Sequence, residues 1–329
     1  MAREIVKPLS GARGPLLTVS VAPHWHCGRT VSGMMLETLL ALAPAAIMAV
    51  TRFGLPAARV MALSCVVAVL AEAACQRWMG RRVRVDDFSA MATGLLFAFL
   101  LPAAAPWWLV AAGSAVSVLL GKMIFGGLGG VLCAPVLGWT ALRISWPEAM
   151  SVDVTMLSYE FTYPLTQLKY LGVEAIGRYD LWHLLLGRQL GGLGAVQGLA
   201  LLAGGAFLLL RRRLRPDIPL AFLAGVFCTA LVYRLIDPSA HAAPLFHLAT
   251  GGVLLGAFFL APDPGSSPSA HLPMVLYGLI AGAFVVVIRV YGQYPDGVPF
   301  AILLANLLTP LLDRLRPRPW GAARKGGGR

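Results

Sequence analysis

Ala249-Thr-Gly-Gly-Val-Leu-Leu-Gly-Ala-Phe-Phe-Leu-Ala-Pro262 has an earlier relative in the chain, Ala92-Thr-Gly-Leu-Leu-Phe-Ala-Phe-Leu-Leu-Pro102. Both read Ala-Thr-Gly, then an apolar aromatic run, then Pro. The residues downstream correspond as well. Lys122 and Phe125-Gly-Gly-Leu-Gly-Gly130 come after the first copy. Arg289 and Tyr291-Gly-Gln-Tyr-Pro-Asp-Gly297 come after the second, and an apolar run succeeds each. The pattern points to an internal duplication.

Composition says what kind of protein is duplicated. The chain is 58% hydrophobic and 13% charged. A soluble domain is about 45–50% apolar and about 25% charged, so both departures indicate a membrane protein. The net charge of +12 raises the question of nucleic acid. The basic residues, however, cluster at the ends of apolar runs, where topology and anionic lipid account for them. Nucleic acid is therefore not an expected partner. Cys27, Cys65, Cys75, Cys133 and Cys228 are scattered with no CxxC, which supports neither a zinc nor a cluster site. Each reads as a small buried hydrophobe. The first residues, Met1 to His26, lack the apolar core of a signal peptide, so the N-terminus reads as retained.

A span takes about 20 mostly apolar residues, and the chain reads as about ten of them. They lie at roughly 33–51, 57–76, 88–104, 107–124, 127–145, 190–210, 217–235, 245–262, 272–290 and 297–313. With both termini inside, most of the basic residues fall on inside segments. These include Arg3 to Arg29, Arg77 to Arg84, Lys122, Arg211 to Arg215 and the tail from Arg314. The excess of positive charge predicts cytoplasmic termini. Copies five spans apart then cross in opposite senses. The expected fold is all-α and integral to the membrane, with two inverted five-helix repeats. Its parts are a cytoplasmic segment 1–32, a first repeat 33–145, an outer connector 146–189, a second repeat 190–313 and a basic cytoplasmic tail 314–329, which reads as disordered against anionic lipid.

Inverted repeats tend to meet at a midplane site formed by interrupted helices. Gly94, Gly251 and Gly252 are the expected interruptions, which would leave the Thr93 and Thr250 hydroxyls on an ion path. The competing account is that Gly and Thr there merely allow close helix packing. Glu37 and Glu72 are carboxylates within spans and are ion-path candidates by default, although both lie near predicted cytoplasmic ends, where a carboxylate can reach water. Pro262-Asp-Pro264 and Tyr294-Pro-Asp-Gly297 suit tight re-entry turns. The six histidines are dispersed; His24 and His26 alone do not make a metal site. Gly126-Gly-Leu-Gly-Gly130 lacks the context of a nucleotide loop. With no nucleophile–base set in view, redox chemistry would have to come from a cofactor or from other subunits.

The second half carries a family likeness. Phe246-His-Leu-Ala-Thr-Gly-Gly252, Gly256-Ala-Phe-Phe259, Asp263-Pro264, Arg289, Gly292-Gln-Tyr-Pro-Asp-Gly-Val-Pro-Phe-Ala301 and Asn306 resemble the D subunit of the Rnf ion-translocating electron-transport complexes. That family is related to the B subunit of the sodium-translocating NADH:quinone reductase. Ser20 to His24, Ser89 to Leu101, Pro106-Trp-Trp108, Gly121 to Gly129 and Ser145-Trp-Pro147 agree in the first half. The resemblance implies a subunit of a bacterial cytoplasmic-membrane complex that moves electrons between ferredoxin and NAD, coupled to Na⁺ or H⁺ transport. Other subunits would handle ferredoxin and NAD, and a flavin-bearing subunit would meet this one at the outer face. The chain would not be catalytic alone.

The same resemblance implies FMN held by a phosphoester on a Thr in the connector. The matching residue is Thr162, within Ser158-Tyr-Glu-Phe-Thr-Tyr-Pro-Leu165. The family's small Gly-Ala pair is replaced by Glu160-Phe161, and Tyr163 is inserted before Pro-Leu. Two alternatives stand: FMN on Thr162, or a scaffold that has lost covalent flavin and works as a transporter, channel-like or scaffold subunit. A second, non-covalent flavin is compatible with either, with no residues assigned to it.

Overall fold

A computed structural model describes residues 30–127, 130–150, 163–177 and 179–315. Helices make up the architecture, with no strand among the described residues. In chain order they are α1 (Val31–Phe53), α2 (Leu55–Trp78), α3 (Ser89–Leu100), α4 (Trp107–Val118), α5 (Ala134–Ser145), α6 (Pro164–Leu171), α7 (Leu181–Leu185), α8 (Gly198–Leu210), α9 (Asp217–Ile236), α10 (Pro244–Ala249), α11 (Val253–Leu255), α12 (His271–Tyr291) and α13 (Val298–Leu312). A π-helical turn, Leu119–Met123, continues α4, and another, Gly256–Leu260, continues α11. Five helices, α1, α2, α9, α12 and α13 with its short extension to Leu315, are long and apolar enough to cross a membrane, and the others include shorter apolar helices.

Local chemistry explains most of the boundaries. Thr30 caps α1, its Oγ1 accepting from Gly33 N at 3.1 Å. Gly54, at φ 68°, turns the chain, and Pro56 starts α2 in the first turn, where a missing N–H is harmless. The expected span at 127–145 begins later, at Ala134. Gly126 and Gly127 are left-handed, which stops the preceding π turn. The expected span at 190–210 also begins late, at Gly198. Residues 190–197 are non-helical yet largely buried. Their backbone is satisfied by the end of α3: Leu193 N donates to the Leu101 carbonyl at 2.8 Å and Gly194 N to the Phe99 carbonyl at 3.2 Å. Irregular backbone at such depth is tolerated only where protein, not lipid, surrounds it.

Hydrogen bonds sort the helix ends into two groups. At the basic end, Glu37 accepts from Arg211 Nη2 at 2.9 Å and from Arg213 Nη2 at 3.0 Å. Arg81 Nη1 donates to the Gly126 carbonyl at 3.2 Å, and Arg215 Nη1 to the Ser269 carbonyl at 3.3 Å. At the far end, Arg52 Nη2 donates to the Leu186 carbonyl at 3.0 Å, and Lys169 Nζ to the Gly292 carbonyl.

One core runs through both halves, joining Phe97, Phe99, Leu101 and Leu109 to Leu193, Leu201, Phe222 and Tyr277. Ser64 Oγ donates to the Gly94 carbonyl at 2.6 Å and shares a 2.9 Å bond with Ser114 Oγ, tying α2 to α3 and α4. In a lipid-embedded bundle such small polar contacts are a main source of association. Between the halves, α1 packs on α8 and α5 on α13. A Cβ on Gly204 would lie 2.1 Å from the Ala41 carbonyl oxygen, so α1 and α8 touch backbone to backbone. In the described part of the connector, Leu165, Ile176 and Leu184 form a satellite core with Ala242, Phe246 and Ala249.

Candidate functional site

Of the two Ala-Thr-Gly copies, only the second is interrupted. Helix α10 ends at Ala249, Gly251 takes φ 66°, and α11 begins at Val253. The break leaves orphan carbonyls on one side and an orphan N–H on the other. Arg289 and Asp296 satisfy both. Arg289 Nη1 donates to the His247 carbonyl and Nη2 to the Thr250 carbonyl, each at 2.8 Å. Asp296 Oδ2 accepts from Gly252 N at 2.8 Å, and its Oδ1 lies 3.4 Å from Arg289 Nη2. A cation on the C-terminal carbonyls and an anion on the N-terminal N–H also match the two half-helix dipoles.

Gly94 corrects the expectation placed on it. Helix α3 runs unbroken from Ser89 to Leu100. A Cβ on Gly94 would lie 2.9 Å from the Ser64 carbonyl oxygen, so this glycine serves close packing on α2. The two threonines do not meet in a common cavity. Thr93 Oγ1 donates to the Ser89 carbonyl at 2.9 Å and lines a central cavity. Thr250 Oγ1 is buried and donates to the Phe246 carbonyl at 2.7 Å.

That central cavity, about 340 Å³, opens between the halves near the basic end. Leu96, Leu132, Leu208, Phe258 and Phe259 give it apolar walls, and Thr38, Ser89, Lys122, Arg213 and Asp263 add polar groups. Asp263 sits in the turn after the second π segment. Burial pushes its carboxyl above the ordinary range, against hydrogen bonds from Ser266 and Gly265 that pull it down.

Glu37 lies on α1 in the Arg211–Arg213 clamp, tying α1 to the end of α8. Glu72 is placed quite differently. It is 1% exposed, and Lys122 Nζ lies 2.6 Å from its Oε1 and 2.7 Å from its Oε2. Lys122 also donates to Ser89 Oγ at 2.5 Å, and Gln76 Nε2 to Glu72 Oε1 at 2.9 Å. The cluster borders a second cavity of about 450 Å³, lined by Gln76, Arg81, Arg82, Arg84 and Asp87. Lys122 reaches this depth because the π turn rotates it inward and because Gly121 lets the turn touch α5. A Cβ there would meet Ala134 Cα at 2.6 Å. Charge patterning along the chain marks Lys122 only as an inside charge. A stronger signal was present in the sequence: a lysine within an apolar run is as unusual as a carboxylate there.

A third cavity, about 420 Å³, lies at the far end between the halves. Leu100, Trp139, Arg143, Tyr163, Tyr170, Tyr294 and Asp296 are among its lining residues. Tyr294 stacks on Phe300 with centroids 5.1 Å apart and planes 8° apart, and the Arg143 guanidinium lies 4.9 Å from the Tyr294 centroid. Thr162 itself lies outside the described residues, as do Glu160 and Phe161, but its neighbour Tyr163 lines this cavity. The lining suits a flavin mononucleotide. Trp139, Tyr170 and Tyr294 are among its aromatic side chains, Arg143 offers a cation for a phosphate, and the volume falls in the range of about 300–1,000 Å³ usual for such ligands.

Residues 18–321 match the NQR2, RnfD, RnfE family. The chain is 36% identical to the D subunit of the ion-translocating oxidoreductase complex of Stutzerimonas stutzeri, covering 90% of this chain and 94% of the relative. It is 35% identical to the D subunit of the Na⁺-translocating ferredoxin:NAD⁺ oxidoreductase complex of Acetobacterium woodii, covering 91% and 93%. With the D subunit of the proton-translocating ferredoxin:NAD⁺ oxidoreductase complex of Clostridium ljungdahlii it shares 32% identity over 94% and 97%.

Proposed function

Because the chain belongs to the NQR2, RnfD, RnfE family, we propose that it is the D-type membrane subunit of an ion-translocating ferredoxin:NAD⁺ oxidoreductase complex in the bacterial cytoplasmic membrane. The observation that carries this reading is the match over residues 18–321, together with relatives named as that subunit. Ferredoxin and NAD⁺ fall to other subunits, and a flavin-bearing partner meets the far end. The relatives named for Na⁺ and for protons are similarly distant, so the comparison leaves the coupling ion open.

The chain crosses the bilayer about ten times, as two inverted five-helix halves. Support comes from the helix ends, which alternate between the basic end and the far end along the chain. The main helix pairs between the halves also join like to like, first with first (α1 with α8) and fifth with fifth (α5 with α13). Lys122 and Arg289, which come after corresponding copies of the repeat, lie at opposite ends. The basic end faces the cytoplasm, and the termini lie on that side.

At the far end the chain holds a flavin. FMN, when bound, supplies one- and two-electron transfer. Trp139, Tyr170 and Tyr294 present rings to that cavity, Arg143 draws the phosphate, and the Arg289–Asp296 pair fixes the wall on which Tyr163 sits. A second, non-covalent flavin is compatible with this reading, with no residues assigned to it. Ion movement follows the central cavity and Thr93 toward Glu72. Glu37, held by Arg211 and Arg213 past the end of α8, keeps the halves in register along that path; Thr250 stands apart from it, its Oγ1 donating to the Phe246 carbonyl within its own helix.

The test has two arms. Inside-out vesicles carrying the complex take up Na⁺ or H⁺ when given reduced ferredoxin and NAD⁺, and deleting this chain abolishes uptake; unaltered uptake overturns the assignment. On a denaturing gel the chain carries flavin fluorescence that Thr162→Ala removes. A second reading, the same scaffold without covalent flavin, is favoured by the bulky Glu160-Phe161 beside Thr162, and a dark band from cells containing the attaching transferase establishes it.

A further inference from the structure

Lys122 and Gly127 line both the central cavity and the cavity at the basic end. The Glu72–Lys122 pair therefore stands in the wall between two spaces, each large enough for water. The pair is nearly dry, its side chains 2% and 6% exposed. Stability alone does not explain it, because a well-packed apolar pair at such a site is often as stable or more so.

The hydrogen bonds continue beyond the pair. Lys122 donates all three of its ammonium hydrogens, two to Glu72 and one to Ser89 Oγ. Ser89 Oγ in turn donates to Asp87 Oδ1 at 2.7 Å. Asp87 is half-buried and lines the basic-end cavity. One lysine is thus strung between two carboxylates, a dry one that it contacts directly and a wetter one that it reaches through a hydroxyl. Gln76 holds Glu72 from the other side, and its Oε1 accepts from Arg84 N at 2.7 Å. Arg81, Arg82 and Arg84 border the cavity on the basic side, while Arg213 and Asp263 face the cluster across the central cavity.

We propose that Lys122 is a tethered cation closing the passage between the two cavities, and that Glu72 is where the transported cation, Na⁺ or H⁺, binds when Lys122 swings along Ser89 to Asp87. The proposal rests on the reading of the chain as part of an ion-translocating complex. Charge balances in both states. With the passage closed, Lys122 neutralises Glu72. With it open, the incoming cation neutralises Glu72 and Lys122 neutralises Asp87. No group is oxidised or reduced, and one cation enters and leaves intact. The π turn supplies the movable part, since such turns interrupt the regular helical bonding and recur at functional positions.

Inside-out vesicles with the assembled complex test this through two quantities: cations taken up per electron transferred, and passive leak of Na⁺ and H⁺ with the redox reaction off. Lys122→Gln is expected to raise the leak of the transported ion by more than about tenfold, because the remaining buried carboxylate lacks its partner and attracts a free cation. Uptake per electron then falls. Lys122→Arg restores closure. Glu72→Gln lowers uptake per electron without raising the leak, and the double neutral variant does not leak. An assembled Lys122→Gln complex with the parent's leak and the parent's ratio overturns the proposal. Where that variant does not assemble, Ser89→Ala decides: it spares the ion pair but cuts the relay, so a ratio equal to the parent's overturns the proposal. Parent vesicles that transfer electrons with no uptake of either ion would instead sink the broader functional reading.

Discussion

Arg289 and Asp296 work as a unit at the break in the second repeat. Arg289 is 6% exposed and its Nε has no hydrogen-bond partner among the described residues, so its charge is met there by the His247 and Thr250 carbonyls and by Asp296. Asp296→Ala leaves that guanidinium short of a counter-charge. We expect a loss of about 3 kcal/mol, read as a lower melting temperature in detergent; an unchanged melt would show that the carbonyls suffice. In the sequence Arg289 is a repeat signpost and Asp296 a turn residue, with no sign that they meet. Asp263 makes a second case. Its folded pKa lies above the unfolded value of 3.8, so the folded state binds its proton more tightly. Stability from this group is full below the unfolded pKa and declines as pH rises through the folded pKa. Asp263→Asn should therefore melt higher than the parent at about pH 8 and equally at about pH 3. A difference that persists at the lower pH would contradict the linkage.

At the scale of elements, two Ala-Thr-Gly copies give one continuous helix and one broken helix. The deciding difference lies in the next residue and in the partner loop. Gly251-Gly252 can adopt a left-handed turn, and Asp296 and Arg289 are there to satisfy it. Gly94-Leu95 lies under α2, with no such pair among the described residues. Gly251→Ala places a Cβ 2.8 Å from Arg289 Nη2 and adds left-handed strain. It should destabilise by about 1–3 kcal/mol and disturb the far-end cavity. The checks are thermal melting and the flavin content of the purified chain, and retention of both would show that the break has slack. The late start of α8 belongs here too. Apolarity across 190–210 suggests one span, because periodicity cannot distinguish a buried helix from buried irregular backbone. The Phe99 and Leu101 carbonyls make the second option possible.

At the scale of the molecule, the halves interlock rather than sit side by side. The α1–α8 and α5–α13 contacts and the common core leave no boundary at the connector. The ion clusters divide by end: Glu72–Lys122 lies at the basic end and Arg289–Asp296 at the far end. In a background without the natural cysteines, Arg82→Cys and Tyr170→Cys, both at exposed positions, should react with an impermeant thiol reagent from opposite sides of sealed vesicles. Labelling from the same side would dismantle the inverted arrangement and with it the path through the central cavity.

Composition and the order of apolar runs were enough for the helical class, the membrane setting and most helix positions, and the quoted motifs for the family. Each depends on local hydrophobicity or on contiguous motifs, which the chain carries without folding. The pairing of Lys122 with Glu72, the bridging of the α10–α11 break by Arg289 and Asp296, and the division of space into three cavities were decided only in three dimensions. They join residues far apart in the chain, and what selects them is the high cost of leaving a buried charge or a broken helix end without a partner.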